Sequence, residues 1–218
     1  MRGAVCLYGL STGKNDKGDV VSHTKAASYL KKNVLDIQDE EVVVFLHTWN
    51  EDAVTQSEIL DLYKSKASKQ EKQIMFDDTP TKLHQIKSRW YSHKESINLK
   101  KQYEEEHGPF DFVLVSRFDN CFLLPFKFGD YKKGNFYSSN WKKPHSDTGF
   151  LDYWFFSDSS TMDRFSTLYD NLDTYLREGK ELSNHTLALH HAEQQPEGTG
   201  DKAKERLDRF LLSREVGC

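Results

Sequence analysis

Cysteine is scarce in this chain, three among 218 residues, which excludes a disulfide-stapled scaffold and leaves little material for a thiolate zinc site. Cys6 and Cys121 each fall within apolar, strand-like runs, where an uncharged thiol acts as a small hydrophobe. Excess positive charge is also missing. Thirty Lys and Arg stand against 34 Asp and Glu, a formal charge of −4, so the surface as a whole does not attract nucleic acid or anionic lipid. There is no apolar run long enough to cross a bilayer, and MRGAVCLYGLSTG lacks the apolar core of a signal peptide. A cytoplasmic protein is the expectation, and the ending REVGC leaves open that the chain is the N-terminal part of something longer. Internal repeats and low-complexity segments are absent too.

Two familiar phosphate-binding signatures are lacking. The loop GLSTGKNDKG after the first apolar run has neither the Gly-x-Gly-x-x-Gly spacing of a dinucleotide fold nor the Lys-Ser/Thr ending of a P-loop. What is present is aromatic. The hydrophobic fraction is only 37%, but Phe, Tyr and Trp supply 13% of residues, enough large rings to build the core of a single domain over 1–218.

The hydrophobic pattern predicts alternating strands and helices. AVCLYGL (4–10) reads as the first strand, followed from Ser22 by the helix HTKAASYLKKNVLD. EVVVFLHTWN (41–50) reads as a central parallel strand, since five successive apolar positions suit burial on both faces. Residues 57–72 read as a polar helix and 73–76 as a short strand. A turn at Asp77, Asp78, Thr79 and Pro80 leads into a long helix from about Thr81 to Glu106, whose Leu83, Ile86, Trp90 and Ile97 make one apolar stripe. FDFVLVSRF (110–118), 135–141 and 150–158 read as further strands, and 160–178 as one amphipathic helix stopped by Gly179, with two more helical stretches after it. The expected fold is α/β, a three-layer sandwich with a mainly parallel central sheet.

In such a sheet ligands sit beyond the carboxyl ends of the strands. The candidates there are Gly9 to Gly13, His47 to Asn50, Asp77 and Asp78, and Arg117 to Asn120. Asp119 ends a buried strand and suits a hard cation such as manganese or magnesium, which would neutralise a diphosphate; otherwise it caps a turn. Asp152, within the aromatic FLDYWFF, is a carboxylate that burial forces to find a partner. Asp77 and Asp78 are either helix caps or a second acidic element of a site, with Asp78 the catalytic candidate.

The segments SRWYSHKESINLKKQYEEE, FDFVLVSRFDNCF and GFLDYWFFSDSSTMDRFSTLYDNL, with VVVFLHTWN, resemble GT-A glycosyltransferases of large DNA viruses and bacteria, nearest to the chlorella-virus glycosyltransferase domain associated with capsid glycan synthesis. The likeness covers roughly residues 4 to 190. It implies a Rossmann-like GT-A fold and transfer of a hexose or deoxyhexose from a UDP-sugar to an oligosaccharide or glycoprotein acceptor. The usual Asp-x-Asp is here Arg117-Phe118-Asp119, so Asp119 inherits the metal role and Arg117 either contacts donor phosphate or sugar or forms a structural ion pair. The resemblance further implies that Asp152 faces the acceptor, as base or as orienting group, and that Arg89 on the long helix approaches donor phosphate or sugar. It places Gly9, Leu10 and Thr12 beside the base and ribose, with Thr48 and Trp49 also facing the nucleotide. GT-A enzymes often complete the metal shell with a late histidine; NHTLALHHAE offers His185, His190 and His191, with His190 ranked first. The alternatives are a carbohydrate-binding or other nucleotide-binding α/β domain without transferase activity; a metal-dependent nuclease built on Asp77, Asp78 and Lys82 is disfavoured by the acidic surface.

Overall fold

The computed structural model describes residues 1–14, 20–50, 52–76, 81–139 and 149–194. Strands β1 (Arg2–Gly9), β4 (Glu41–Thr48), β5 (Ala67–Gln70), β6 (Phe112–Arg117), β7 (Tyr137–Ser139) and β8 (Leu151–Ser157) form one six-stranded sheet in the order β5-β4-β1-β6-β8-β7. The pairs β4/β5, β1/β4 and β1/β6 are parallel; β8 runs antiparallel to both β6 and β7. A small hairpin of β2 (Thr12–Lys14) and β3 (Val20–Ser22) stands apart from this sheet.

Alternation along the strands builds the two cores. Ala4, Cys6 and Tyr8 of β1 face the layer of α3 (Lys82–His107), α4 (Ser159–Ser166), α5 (Leu168–Arg177) and α6 (Asn184–Gln194), packing on Trp90, Phe165 and Leu187. Val5 and Leu7 face the opposite layer of α1 (His23–Leu30), its π-helical extension Lys31–Leu35, α2 (Ala53–Tyr63) and a run of rings from Phe118 to Tyr137. The expected three layers and mainly parallel sheet are therefore observed. Cys6 is a free, buried thiol, whereas Cys121 is disulfide-bonded rather than a plain buried thiol.

Helix α3 carries the site and shows why a helix so rich in charge is held in place. Its apolar stripe is narrow: Ile86, Trp90 and Ile97 are at most 2% exposed. Beside it runs a second buried row, His84, Ser88, Ser92, Ser96 and Lys100, spaced every fourth residue. Small serines let the helix approach the sheet closely while their hydroxyls still find partners. Lys100, fully buried, is neutralised by Glu104 at 2.5 Å and Asp163 at 2.8 Å, tying α3 to α4.

Several boundaries differ from the sequence expectation. The helix expected over 57–72 ends at Tyr63, where Lys64 adopts φ 48°, a left-handed C-cap. The following strand is Ala67–Gln70, not 73–76; it is a half-exposed edge strand, so it carries no hydrophobic alternation to read. The expected helix over 160–178 is divided at Thr167, where φ −71° and ψ 0° tighten the turn and the hydroxyl bonds back to Arg164 O at 2.8 Å. Ser22 stands at the start of α1 but its side chain makes no cap bond there. The second late helical stretch lies outside the described residues.

Candidate functional site

The carboxyl ends of β1 and β6 and the entering end of the antiparallel β8 meet at one sheet edge, and an open cleft of about 400 Å³ lies there. Its walls include Tyr8, Gly9 and Leu10 of β1 and its exit, Lys14 of the hairpin, Trp49, Arg89 of α3, Arg117 and Asp119 after β6, Asp152 of β8, and His185 of α6. Of the residues expected at a site, Gly9, Leu10, Arg89, Arg117, Asp119 and Asp152 are thus brought together. Thr12 and Thr48 are not on the walls. Thr48 is fully buried, and its hydroxyl joins Ser11 Oγ at 3.0 Å and Asn50 Oδ1 at 3.2 Å. Asn50 Oδ1 also accepts from the amides of Ser11 and Thr12 at 3.1 and 3.3 Å, so these residues shape the loop after β1 from behind. Asp77 and Asp78 lie outside the described residues.

The acidic groups are held by cations. Arg89 Nη1 lies 2.7 Å from Asp152 Oδ2, and Nη2 donates to Tyr8 Oη at 2.8 Å and to the Asp152 carbonyl. His185 Nδ1 stands 3.5 Å from the other carboxylate oxygen and 2.7 Å from Phe150 O. Burial works to raise the Asp152 carboxyl, but Arg89, His185 and Arg117 outweigh it and hold it below the ordinary carboxylate range. The expectation that this aspartate needs a partner is met by Arg89, which is therefore engaged with the protein rather than free for a phosphate alone.

Asp119 is likewise held by an arginine. Arg117 Nη2 bonds its Oδ2, the structural ion pair being one of the two roles foreseen for that arginine. Burial opposes the Arg117 charge, yet Asp119 and Asp152 push its pKa up, so it stays cationic. The other oxygen, Asp119 Oδ1, is buried and has no hydrogen-bond partner. Arg89 Nε and Asn184 Oδ1, on two further residues of the cleft wall, are also buried without a partner. Such atoms also occur elsewhere among the described residues, so what singles out this wall is that one of them, Asp119 Oδ1, is a carboxylate oxygen beside two arginines.

His190, ranked first as the late metal histidine, does not line the cleft. Its Nε2 faces Glu178 at 4.0 Å and its ring packs edge-on against Tyr175. Helical phase explains this: His185 at the start of α6 points to the sheet edge, while His190 and His191 fall on faces directed at α5. His191 is fully buried, bonded through Nδ1 to Tyr175 Oη at 2.7 Å. Among the described residues no three His, Cys, Asp or Glu side chains converge to enclose a metal. The orphaned Asp119 oxygen nevertheless suits a hard cation that takes one ligand from the protein and the rest from phosphate and water oxygens.

Lys14, Gln73, Gln85, Ser88, Tyr153 and Asn184 are wall residues that the sequence reading did not single out. Gln85 sits four residues before Arg89 and Ser88 four before Ser92 on α3, about one turn in each case, so the helical phase around Arg89 was their available signal. Lys14 ends the three-residue strand β2 and Gln73 lies in an irregular segment, and neither is long enough or regular enough to carry such periodicity. Three cationic side chains, Lys14, Arg89 and Arg117, face two carboxylates, Asp119 and Asp152, so the cleft is locally positive on a chain of net charge −4. No helix among the described residues is long and apolar enough to cross a membrane. No protein-family model matches the chain, and no curated protein matches it.

Proposed function

We propose that the cleft binds a nucleotide sugar and that the chain is a GT-A type glycosyltransferase that moves a hexose or deoxyhexose from a UDP donor to a glycan acceptor. The observation that carries this reading is the pairing of Arg117 with Asp119 beside Arg89 with Asp152 in one cleft at the carboxyl edge of the parallel strands. A cluster of that kind answers both halves of such a donor. Cations offset the diphosphate charge, and carboxylates accept from sugar hydroxyls.

Asp119 would hold a manganese or magnesium ion through its unpartnered oxygen, and that ion, when bound, would stabilise the charge on the departing diphosphate. Arg117 would hold the carboxylate in place by their ion pair and add its own charge to the cleft. Gly9, with φ 103°, turns the chain away from β1 with no side chain in the way, leaving its backbone open to the nucleotide. Trp49, 7% exposed on the wall, offers a ring edge on the same side. Asp152, held ionised by Arg89, is a weak base, so it orients an acceptor or donor hydroxyl rather than removing its proton. Viral capsid glycan synthesis is the setting that the sequence resemblance suggests for this activity.

The test is release of UDP from a panel of UDP-hexoses and UDP-deoxyhexoses in manganese, with and without glycan acceptors. Acceptor-stimulated release that falls at least about a hundredfold in Asp152→Asn supports the assignment. Tight binding of free oligosaccharide with no release from any donor would instead support a carbohydrate-binding domain.

A further inference from the structure

Behind the cleft wall lies an uninterrupted line of hydrogen bonds that the proposed donor site does not itself use. The Gly9 amide donates to Ser92 Oγ at 2.8 Å. Ser92 is fully buried on α3 and stands 2.7 Å from His47 Nδ1, and His47 Nε2 stands 2.8 Å from Glu71 Oε1. The directions follow from the proton inventory. Against burial, His47 and Lys69 hold the Glu71 carboxyl below its ordinary range, and a carboxylate only accepts, so His47 Nε2 carries a proton. In a neutral ring Nδ1 is then the acceptor, and Ser92, which accepts from Gly9, donates its single proton to it. The ring proton sits on Nε2 and is donated to Glu71. Burial pushes the His47 pKa down against the pull of Glu71, in keeping with a neutral ring.

Both ends of this line matter to the cleft. Gly9 is on its wall, and Trp49 N donates to Gly9 O at 3.3 Å while the Trp49 ring packs edge-on against His47 at 4.8 Å. Glu71 is anchored in turn by Lys69 at 3.1 Å, and Lys69 has its own second partner in Glu95 at 2.7 Å. Ser92 is sealed from the cleft, which excludes a nucleophilic role for the Ser-His-Glu series and leaves a mechanical one.

We propose that Glu71, His47 and Ser92 are positioning residues that fix one tautomer of His47 and thereby hold the Gly9 amide and the Trp49 ring in the geometry the cleft needs. Only the binding readout below rests on the donor-site reading. Glu71 is the residue to vary, because it is partly exposed and Lys69 keeps Glu95 when it is gone. Glu71→Gln retains an acceptor for His47 Nε2–H, while Glu71→Ala removes it.

The experiment is ¹⁵N NMR of the His47 ring and of the Gly9 amide in wild type, Glu71→Ala and Glu71→Gln, with calorimetric titration of UDP in manganese on the same samples. In wild type His47 should be the Nε2–H tautomer and the Gly9 amide protected from exchange. Glu71→Ala should show a mixed tautomer, faster Gly9 exchange and UDP binding weakened about fivefold, the scale of one lost hydrogen bond. Glu71→Gln should restore all three. A His47 ring and Gly9 amide unchanged in a folded Glu71→Ala would overturn the proposal, as would weakened binding that Glu71→Gln does not restore. If wild type bound no UDP while both NMR signals behaved as stated, the donor reading would fall and the relay would stand.

Discussion

Replacing Arg89 by Leu should destabilise the protein most at neutral pH, and the deficit should shrink in acid. Asp152 is 5% exposed, and Arg89 is the nearest of its charge partners at 2.7 Å. Removing one member of a buried pair costs about 3–5 kcal/mol because the remaining charge is left uncompensated. Here His185 at 3.5 Å and the nearby Arg117 remain, which places the loss at the lower end, about 3 kcal/mol. For a chain of this size that lowers Tm by roughly 6–12 °C. The sign with pH follows from linkage. In wild type the Asp152 carboxyl lies below its ordinary value, so its stabilisation is complete above the unfolded pKa of about 3.9 and is lost as pH falls through the lower folded value. Burial is already the largest single influence, and without Arg89 it is opposed mainly by His185 and Arg117, so the carboxyl should rise. The charged form is then the costly one, and protonation relieves it. Circular dichroism melts of wild type and Arg89→Leu at pH 7 and pH 4.5 read this directly, and Arg89→Leu combined with Asp152→Asn should recover part of the loss at pH 7. A deficit under about 2 °C at pH 7, or one equal at both pH values, would refute the reasoning.

Three further outcomes are expected. Gly149→Ala should cost about 1–3 kcal/mol, because the added methyl would meet His185 backbone atoms at 2.3 and 2.4 Å; chemical denaturation measures this, and an unchanged midpoint would contradict it. His93 is fully buried with both ring nitrogens unpartnered, and burial, with Arg89 and His191, pushes its pKa down to about 3. Its unfolded form takes up a proton near pH 6.5 while the folded form does not, so this group costs about 1.4 kcal/mol per pH unit from there down toward pH 3. His93→Leu should flatten the stability profile across pH 6.5 to 4.5, and an unchanged slope would rule that out. Asp119→Ala should melt within a few degrees of wild type, since it removes one side chain of a partly exposed pair, and should lose the stabilisation that UDP with manganese gives in a thermal-shift assay.

Much of the architecture was legible because burial on both faces writes itself into sequence. EVVVFLHT and FVLVSR are continuous apolar runs, and their placement in a parallel sheet followed from that. β5 was not legible: ASKQ is a half-exposed edge strand defined by its ladder to β4, a long-range fact with no local signature. In the site, Asp119 was found as a carboxylate at a strand end and Asp152 as one inside an aromatic strand, whereas Arg89 and the role of Arg117 came from the resemblance. Their pairing was only partly foreseen, since residues 63 positions apart, as Arg89 and Asp152 are, meet only through the crossing of α3 over the sheet. His190 was preferred over His185 although the two lie five residues apart, more than one helical turn. Which of them meets the cleft depends on how α6 docks, a long-range arrangement in which the start of the helix lies close against Gly149.

In the proposed site Asp119, through one carboxylate oxygen, joins a divalent ion to a nucleotide diphosphate. Calorimetric titration of UDP into wild type and Asp119→Ala, each in manganese and in chelator, tests it most directly. Saturable binding is expected in one condition of the four, wild type with manganese; equal affinity in chelator, or undiminished affinity in Asp119→Ala, would overturn the metal-linked role of Asp119.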